Sequence, residues 1–359
     1  MKTIYNNKIF LFGFIIIALA ITLNACKKDG DGSPDVKAGN PVAESLTPAS
    51  AAGGAVLTLK GSGLGQIRTI IFDKDSVPAS FYTTLNTDGA LVFRVPDTVS
   101  GGPQNIIFTN SEGKTLSVEF TGLAFPKVTG VSNYDFVAGD QLTLTGNNLE
   151  TVSKVLLHGS TDAAAVVSKS KKQLVITMPT TSVARAALDI TNVTGMTTTT
   201  QEFVNLNQAY QVFTDAYING FADGSWGDAA AISTAEFKTG SKSVGKKYQK
   251  GNWHLIGFAN WGSGCAYDAS YTYLTCWVKG ASRDYSLYIM SDKGVGGYGN
   301  YLESNRIDVP ANVWTYFKVP LSTLNLWSSG SPFNQLGFRI KGPDAQDETF
   351  YFDDVMLVK

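Results

Sequence analysis

Two stretches decide how this chain folds: LTLKGSGL at residues 57–64 and LTLTGNNL at residues 142–149. In each, leucines alternate with polar residues, the period-two pattern of a strand with one buried face. In each, the alternation stops at a glycine and a short polar turn, where the chain reverses. The flanks repeat as well. Pro41 matches Pro126, the turn at Gly53–Gly54 matches Gly139–Asp140, LVFRVP (91–96) matches LVITMP (174–179), and NIIFTNSEG (105–113) matches ALDITNVTG (187–195). Each copy spans about 80–85 residues of short alternating strands between turns, the signature of a small Greek-key sandwich.

The whole chain has 359 residues, too many for one ordinary core and enough for two to four domains. Charged residues make up 16% and the net charge is −1. A nucleic-acid binder needs a basic excess to displace counterions from phosphates, and this chain has none. The 36 glycines, 15 tyrosines and 20 phenylalanines favour an all-β chain with many turns.

Upstream of the repeat, Lys2 and Lys8 lead into the apolar run IFLFGFIIIALAITL (9–23), which fits the core of a signal peptide. LNAC (23–26) follows and resembles a bacterial lipobox, which implies a signal peptide over 1–25 and a lipidated Cys26 at the start of the mature chain. Residues 26–40 contain almost nothing to bury and read as a flexible tether.

The repeat resembles the IPT/TIG family of immunoglobulin-like domains, carried by LTLKGSGL, LTLTGNNL and the strand-Pro and Asn-x-x-Gly endings. The resemblance implies two tandem Ig-like sandwiches, with expected boundaries 41–124 and 125–206. Residues 207–359 differ in composition: all six tryptophans lie there, on alternating segments such as YLTCWVKG, YSLYIM and QLGFRIKG. That many strands in such a length suggest a jelly roll of two packed sheets.

This last segment resembles the galactose-binding-like β-sandwiches used as carbohydrate-binding modules. The matching stretches are VFTDAYINGFADGSWG (212–227), TGSKSV (239–244), LTCWVKG (274–280), WTYFKVPLSTL (314–324) and TFYFDDVML (349–357). Lipobox, Ig-like spacers and a C-terminal sandwich together resemble the outer-membrane surface glycan-binding lipoproteins of Bacteroidetes. The resemblance implies a non-catalytic protein that binds polysaccharide and presents it to a SusC/SusD-like uptake complex.

Strand parity names candidate contacts. In WHLIGFANW (253–261), Ile256 and Phe258 share one face, so Trp253, Gly257, Ala259 and Trp261 share the other. Two large rings then flank a shallow groove floored by small residues, with Trp261 on a loop beyond the strand. The same test turns Trp277, Tyr288 and Arg339 outward. Tyr298 and Tyr301 of the glycine-rich stretch 292–305, and Trp327, complete the candidate ligand set. Aromatic faces pack on the C–H groups of sugar rings while polar groups serve their hydroxyls.

Cys265 and Cys276 are an even pair in an oxidising compartment, read either as a disulfide or as buried thiols. The sandwich resemblance implies a structural Ca²⁺ near Asp353, with Asp215 and Asp354 as further oxygen ligands. His158 and His254 are the only histidines, and no HExxH or nucleophile elbow occurs. A carboxylate pair drawn from Glu303, Asp308 and Glu348 is the one route left to a polysaccharide-cleaving enzyme. A surface adhesion or structural protein that binds another protein is the other alternative to the leading reading.

Overall fold

The computed structural model describes residues 38–251, 253–341 and 345–359, so Cys26 and the signal segment lie outside the described residues. The chain is all-β, and divides into one compact unit up to residue 121 and a second over 122–359, which also takes in 100–102.

In the first unit, Val42–Thr47, Val56–Ser62 and Ala90–Arg94 form a three-stranded sheet. A five-stranded sheet centres on Ile67–Phe72, Gly102–Asn110 and Thr115–Gly122. Leu57 and Leu59 of the alternating stretch meet Leu91 and Phe93 of the neighbouring strand, and Phe72, Ile106 and Phe108 of the other sheet, in one core.

The second unit holds two sandwiches. In the first of these, eight strands from Lys127 to Asn205 form one hydrogen-bonded path around a core of Leu142, Leu144, Leu174, Ile176, Leu188 and Phe203. In the second, a six-stranded sheet packs on a five-stranded one. The six-stranded sheet contains Ser243–Tyr248, Tyr273–Lys279, Trp314–Pro320 and Glu348–Val358, with Ala231–Ser233 at one edge and Tyr210–Phe213 paired to Glu348–Val358. The five-stranded sheet runs in the order Ala222–Asp223, Leu255–Ala259, Gln335–Ile340, Tyr285–Ser291, Arg306–Val309. Leu274, Cys276, Val278, Phe350 and Phe352 from one sheet meet Ile256, Phe258, Leu287, Ile289 and Phe338 from the other.

The outer face of the six-stranded sheet is covered by the preceding sandwich of the same unit. Trp277, only 5% exposed, donates its Nε1–H to Asn133 Oδ1 at 3.0 Å. Tyr134 stacks on Tyr316 at 4.5 Å, and Trp277 lies 5.0 Å from Tyr316. The Lys238 ammonium sits 4.4 Å from the centre of the Trp277 ring and donates to Ser132 O. Arg185 and Lys318 bracket Tyr273 at 4.5 and 4.2 Å.

Two sequence expectations are corrected here, and of the two readings of the cysteines the buried thiols hold. Trp277 faces outward as parity requires, but it is packed into an interface and is closed to a ligand. Cys265 and Cys276 are both free and buried: Cys276 sits inside the core and Cys265 bridges Phe333 at its rim. Burial pushes the Cys265 thiol up to about 12.

The second correction is the calcium set. The ladder slips between Thr275 and Trp277 opposite Asp353, and Asp354 takes a φ of 47° there. A bulge suspends strand alternation, so both adjacent acids are buried. Asp353 accepts the backbone N–H of Lys238 and Thr239, Asp354 accepts the Thr239 hydroxyl, and Asp215 accepts the N–H of Ser241 and Lys242. Burial first, and then Asp354, push Asp353 up to about 7. Burial pushes Asp354 to about 6, with Asp215 and Asp140 adding to it. Among the described residues no group of three Asp, Glu, His or Cys is placed to hold a metal ion, and the three do not fit a calcium cage.

Candidate functional site

The outer face of the five-stranded sheet gathers most of the sequence candidates. Ile256 and Phe258 point into the core, which leaves Leu255, Gly257 and Ala259 on the outer side. Their cross-strand partners are Arg339, Gly337 and Gln335, and beyond these lie Tyr288 and Met290.

This face is not the bare groove that the small residues suggest. The chain before it runs alongside, with Gly224 N–H donating to Gly257 O and Trp226 N–H to Leu255 O. The glycine-rich segment 292–305 folds over the centre. A Cβ on Gly257 would stand 2.4 Å from the Tyr298 hydroxyl, and one on Gly337 2.7 Å from it. Real Cβ contacts are longer, so the paired glycines make the floor on which the Tyr298 ring lies. Trp226 meets Tyr298 edge to face at 5.2 Å.

Arg339 holds the other half together. Its guanidinium lies 4.5 Å from the Tyr301 ring centre and 5.9 Å from that of Trp226, and Nη1 donates to Gly299 O. Tyr301 donates its hydroxyl to Ile340 O at 2.8 Å and covers Tyr288 edge to face at 5.1 Å. Tyr288 is therefore buried beneath Tyr301. Its outward direction is as expected, but it offers no surface for a ligand. The Tyr298 hydroxyl and Arg339 Nε are buried without hydrogen-bond partners, and burial raises the Tyr298 hydroxyl above its ordinary range.

Two rings stay in solvent, one beyond each end of Leu255–Ala259. Trp253 is 54% exposed and Trp261 is 71% exposed. Each stands on a fixed neighbour. Trp253 lies 4.1 Å from the buried His254 ring, whose imidazole burial and Lys246 keep below its ordinary range. Trp261 follows the buried Asn260, which donates to Asn219 O at 2.8 Å and accepts from Gly262 N–H at 3.0 Å, fixing the turn.

The acids at the far edge are already engaged. Glu303 accepts the Tyr288 hydroxyl and pairs with Arg306. Asp308 pairs with Arg306 and accepts from Ser286, and these contacts hold it below the usual carboxylate range. Glu348 is buried, and its bonds to Ser282, Gln346 and Tyr285 hold it low despite burial. A general acid needs a raised carboxyl, and Asp308 and Glu348 are both held low.

Trp327 lies elsewhere, at the end of the six-stranded sheet. It lines an open groove of about 760 Å³ with Tyr267, Tyr271 and Tyr273. Sequence reading missed Tyr267, which is 62% exposed, and it missed Trp226 as part of the outer face. An aromatic residue set among glycines and serines, as in DGSWG (223–227), was the available signal for the second of these.

No family model and no curated protein matches this chain. Solved structures do. Surface glycan-binding protein PbSGBP-B from Prevotella bryantii is 17% identical, with 89% of this chain and 99% of that one covered at a TM-score of 0.55. The chain shares its fold with a surface glycan-binding protein. SGBP-B from a complex xyloglucan utilization locus in Bacteroides uniformis is 18% identical over 89% of this chain and 99% of that one, at a TM-score of 0.44. At 17% identity the likeness to PbSGBP-B establishes the fold alone, and the function has to be argued from the residues.

Proposed function

We propose that this chain is a non-catalytic surface lipoprotein that binds polysaccharide through the outer face of its C-terminal sandwich and presents it to an outer-membrane uptake complex. One observation carries the reading: Trp253 and Trp261 stand in solvent at the two ends of one strand, beside a face already built from Trp226, Tyr298, Tyr301 and Arg339. Leaving two indoles wet forgoes about 1.5–3 kcal/mol of burial for each large apolar side chain. Rings held at the surface by buried neighbours are stacking platforms for sugar rings. The shared fold with a surface glycan-binding protein supports the same reading, as does the pairing of Glu303 and Asp308 with Arg306, which engages the two acids at the edge of that face.

The test is affinity electrophoresis of the full chain through gels that contain xyloglucan, mixed-linkage glucan, glucomannan, xylan, starch or polygalacturonate. Retardation by at least one polysaccharide, reduced in Trp253→Ala and Trp261→Ala, is expected. Free migration through every gel overturns the reading. Anchoring through Cys26 is tested separately: Cys26→Ala should move the protein from the membrane fraction to the soluble fraction.

A further inference from the structure

We infer that the groove at the end of the six-stranded sheet is a second glycan site, distinct from the outer face and shaped for an uncharged sugar chain. The inference rests on the polysaccharide-binding reading above and adds a site to it. None of the residues lining the groove belongs to the strands of the five-stranded sheet, so a ligand there touches a different surface.

The groove is built from fixed rings. Trp327 packs on Phe333 at 5.0 Å and donates its Nε1–H to Cys265 O at 2.8 Å, so its indole cannot turn away. Tyr267 stands edge to face with it at 5.6 Å, its backbone N–H held by Ser331 Oγ at 2.8 Å. An exposed tyrosine fixed beside a half-buried tryptophan makes two walls of aromatic surface without further loss of side-chain freedom on binding. Tyr271 and Tyr273 continue the aromatic lining, and Ser322 and Asn325 supply uncharged polar groups along the rim.

Charge selects among occupants. No charged side chain lines the groove itself among the described residues; Arg185 and Lys318 lie over the Tyr273 ring but are paired with Glu202, and Lys359 lies 5.6 Å from the centre of the Tyr271 ring. A phosphate or a uronate would find no cation in the lining itself to pair with. A neutral sugar needs aromatic faces and small polar groups, which is what lines this site. The volume of about 760 Å³ is that of a drug-sized pocket, and the groove is open, so a polymer can pass through it instead of ending in it.

Two sites on one domain predict additive retention of a long polymer. The experiment uses the full chain in the same gels and compares the wild type with Tyr267→Ala, Trp261→Ala and the double variant. Tyr82→Ala, an exposed tyrosine in the first unit, serves as the control. Tyr267 is chosen over Trp327 because its loss leaves the Trp327–Phe333 packing in place. Tyr267→Ala should weaken retention by roughly tenfold, as one lost stacking contact does, and the double variant should weaken it more than either single variant. Tyr267→Ala migrating like the wild type in every gel that retards the wild type overturns the second site and leaves the first untouched. If polygalacturonate alone retards the wild type, the uncharged-ligand assignment falls. If no gel retards it, the polysaccharide reading falls and this inference falls with it.

Discussion

The two outer faces of the C-terminal sandwich carry similar residues and meet different ends. The face with Tyr273, Trp277 and Tyr316 is closed by the preceding Ig-like sandwich through Tyr134, Asn133 and Lys238. The face with Tyr288, Gly337 and Arg339 is roofed by its own loop through Tyr298 and Tyr301, and two tryptophans remain outside. Aromatic rings on an outward strand therefore lie under a neighbouring sandwich in one case and under a loop of their own sandwich in the other. What separates them is the partner, which is a distant part of the chain in one case and the segment just after Tyr285–Ser291 in the other.

The sharpest way to break this contrast is to exchange fates by mutation. Trp277→Ala should cost about 3–5 kcal/mol of stability, read as a lower denaturant midpoint of the full chain. A loss below 1 kcal/mol would mean that the interface contributes little.

The second test is pH. Burial and the neighbouring Asp354 hold Asp135 well above the usual carboxylate range, while Asp353 and Asp354 are pushed to about 7 and about 6. Tyr316 and Lys238 face them, and Asp140 and Asp215 add negative charge. Raised acids bind protons in the folded chain that the unfolded chain has released. Their stabilisation is complete below about pH 4, the unfolded value, and is lost as pH rises through 6 to 7. Asp354→Asn should flatten this decline by on the order of 2 kcal/mol between pH 5 and 8. An unchanged slope would show that the acids at the junction do not titrate there.

The third concerns the roof of the other face. Gly337→Ala places a Cβ 2.7 Å from the Tyr298 hydroxyl and 3.0 Å from Leu255 Cδ1, and should destabilise by about 1–3 kcal/mol as an overpacked site. Tyr298→Phe should cost almost nothing, because that hydroxyl has no partner to lose. Trp261→Ala should be the mildest of all in melting, within about 0.5 kcal/mol, while it weakens polysaccharide binding by roughly ten- to hundredfold. A large fall in its melting temperature would move Trp261 from platform to structural plug.

Much of this was legible from local pattern. Alternation in LTLKGSGL and QLGFRIKG is local physics, and it assigned Leu57, Leu59, Leu336, Phe338 and Ile340 to their cores. Alternation also placed Trp277 and Tyr288 on outer faces. It did not reveal the second layer over those faces, because Tyr134 reaches Trp277 from a different sandwich and Tyr301 reaches Tyr288 only through the fold of an irregular loop. Gly257 shows the same limit from the other side: a small residue reads as an open floor, and here it is the space that Tyr298 fills. Asp353 and Asp354 escaped because a bulge changes parity at one residue without any mark in composition. Trp253 and Trp261 were legible because their exposure depends on turns beside them, Asn-Trp-Gly above all.

The junction at Trp277 also decides how a polymer is met. In a two-layer sandwich with one outer face clamped against its neighbour, the other outer face lies on the far side. On the proposed function, the rings at Trp253 and Trp261, which stay in solvent, would meet the middle of a long strand of glycan as readily as its tip. Capping or reducing the terminal sugar of an oligosaccharide should leave its affinity unchanged. Shortening it below the separation of the two rings, which lie beyond the two ends of Leu255–Ala259, should let one ring go.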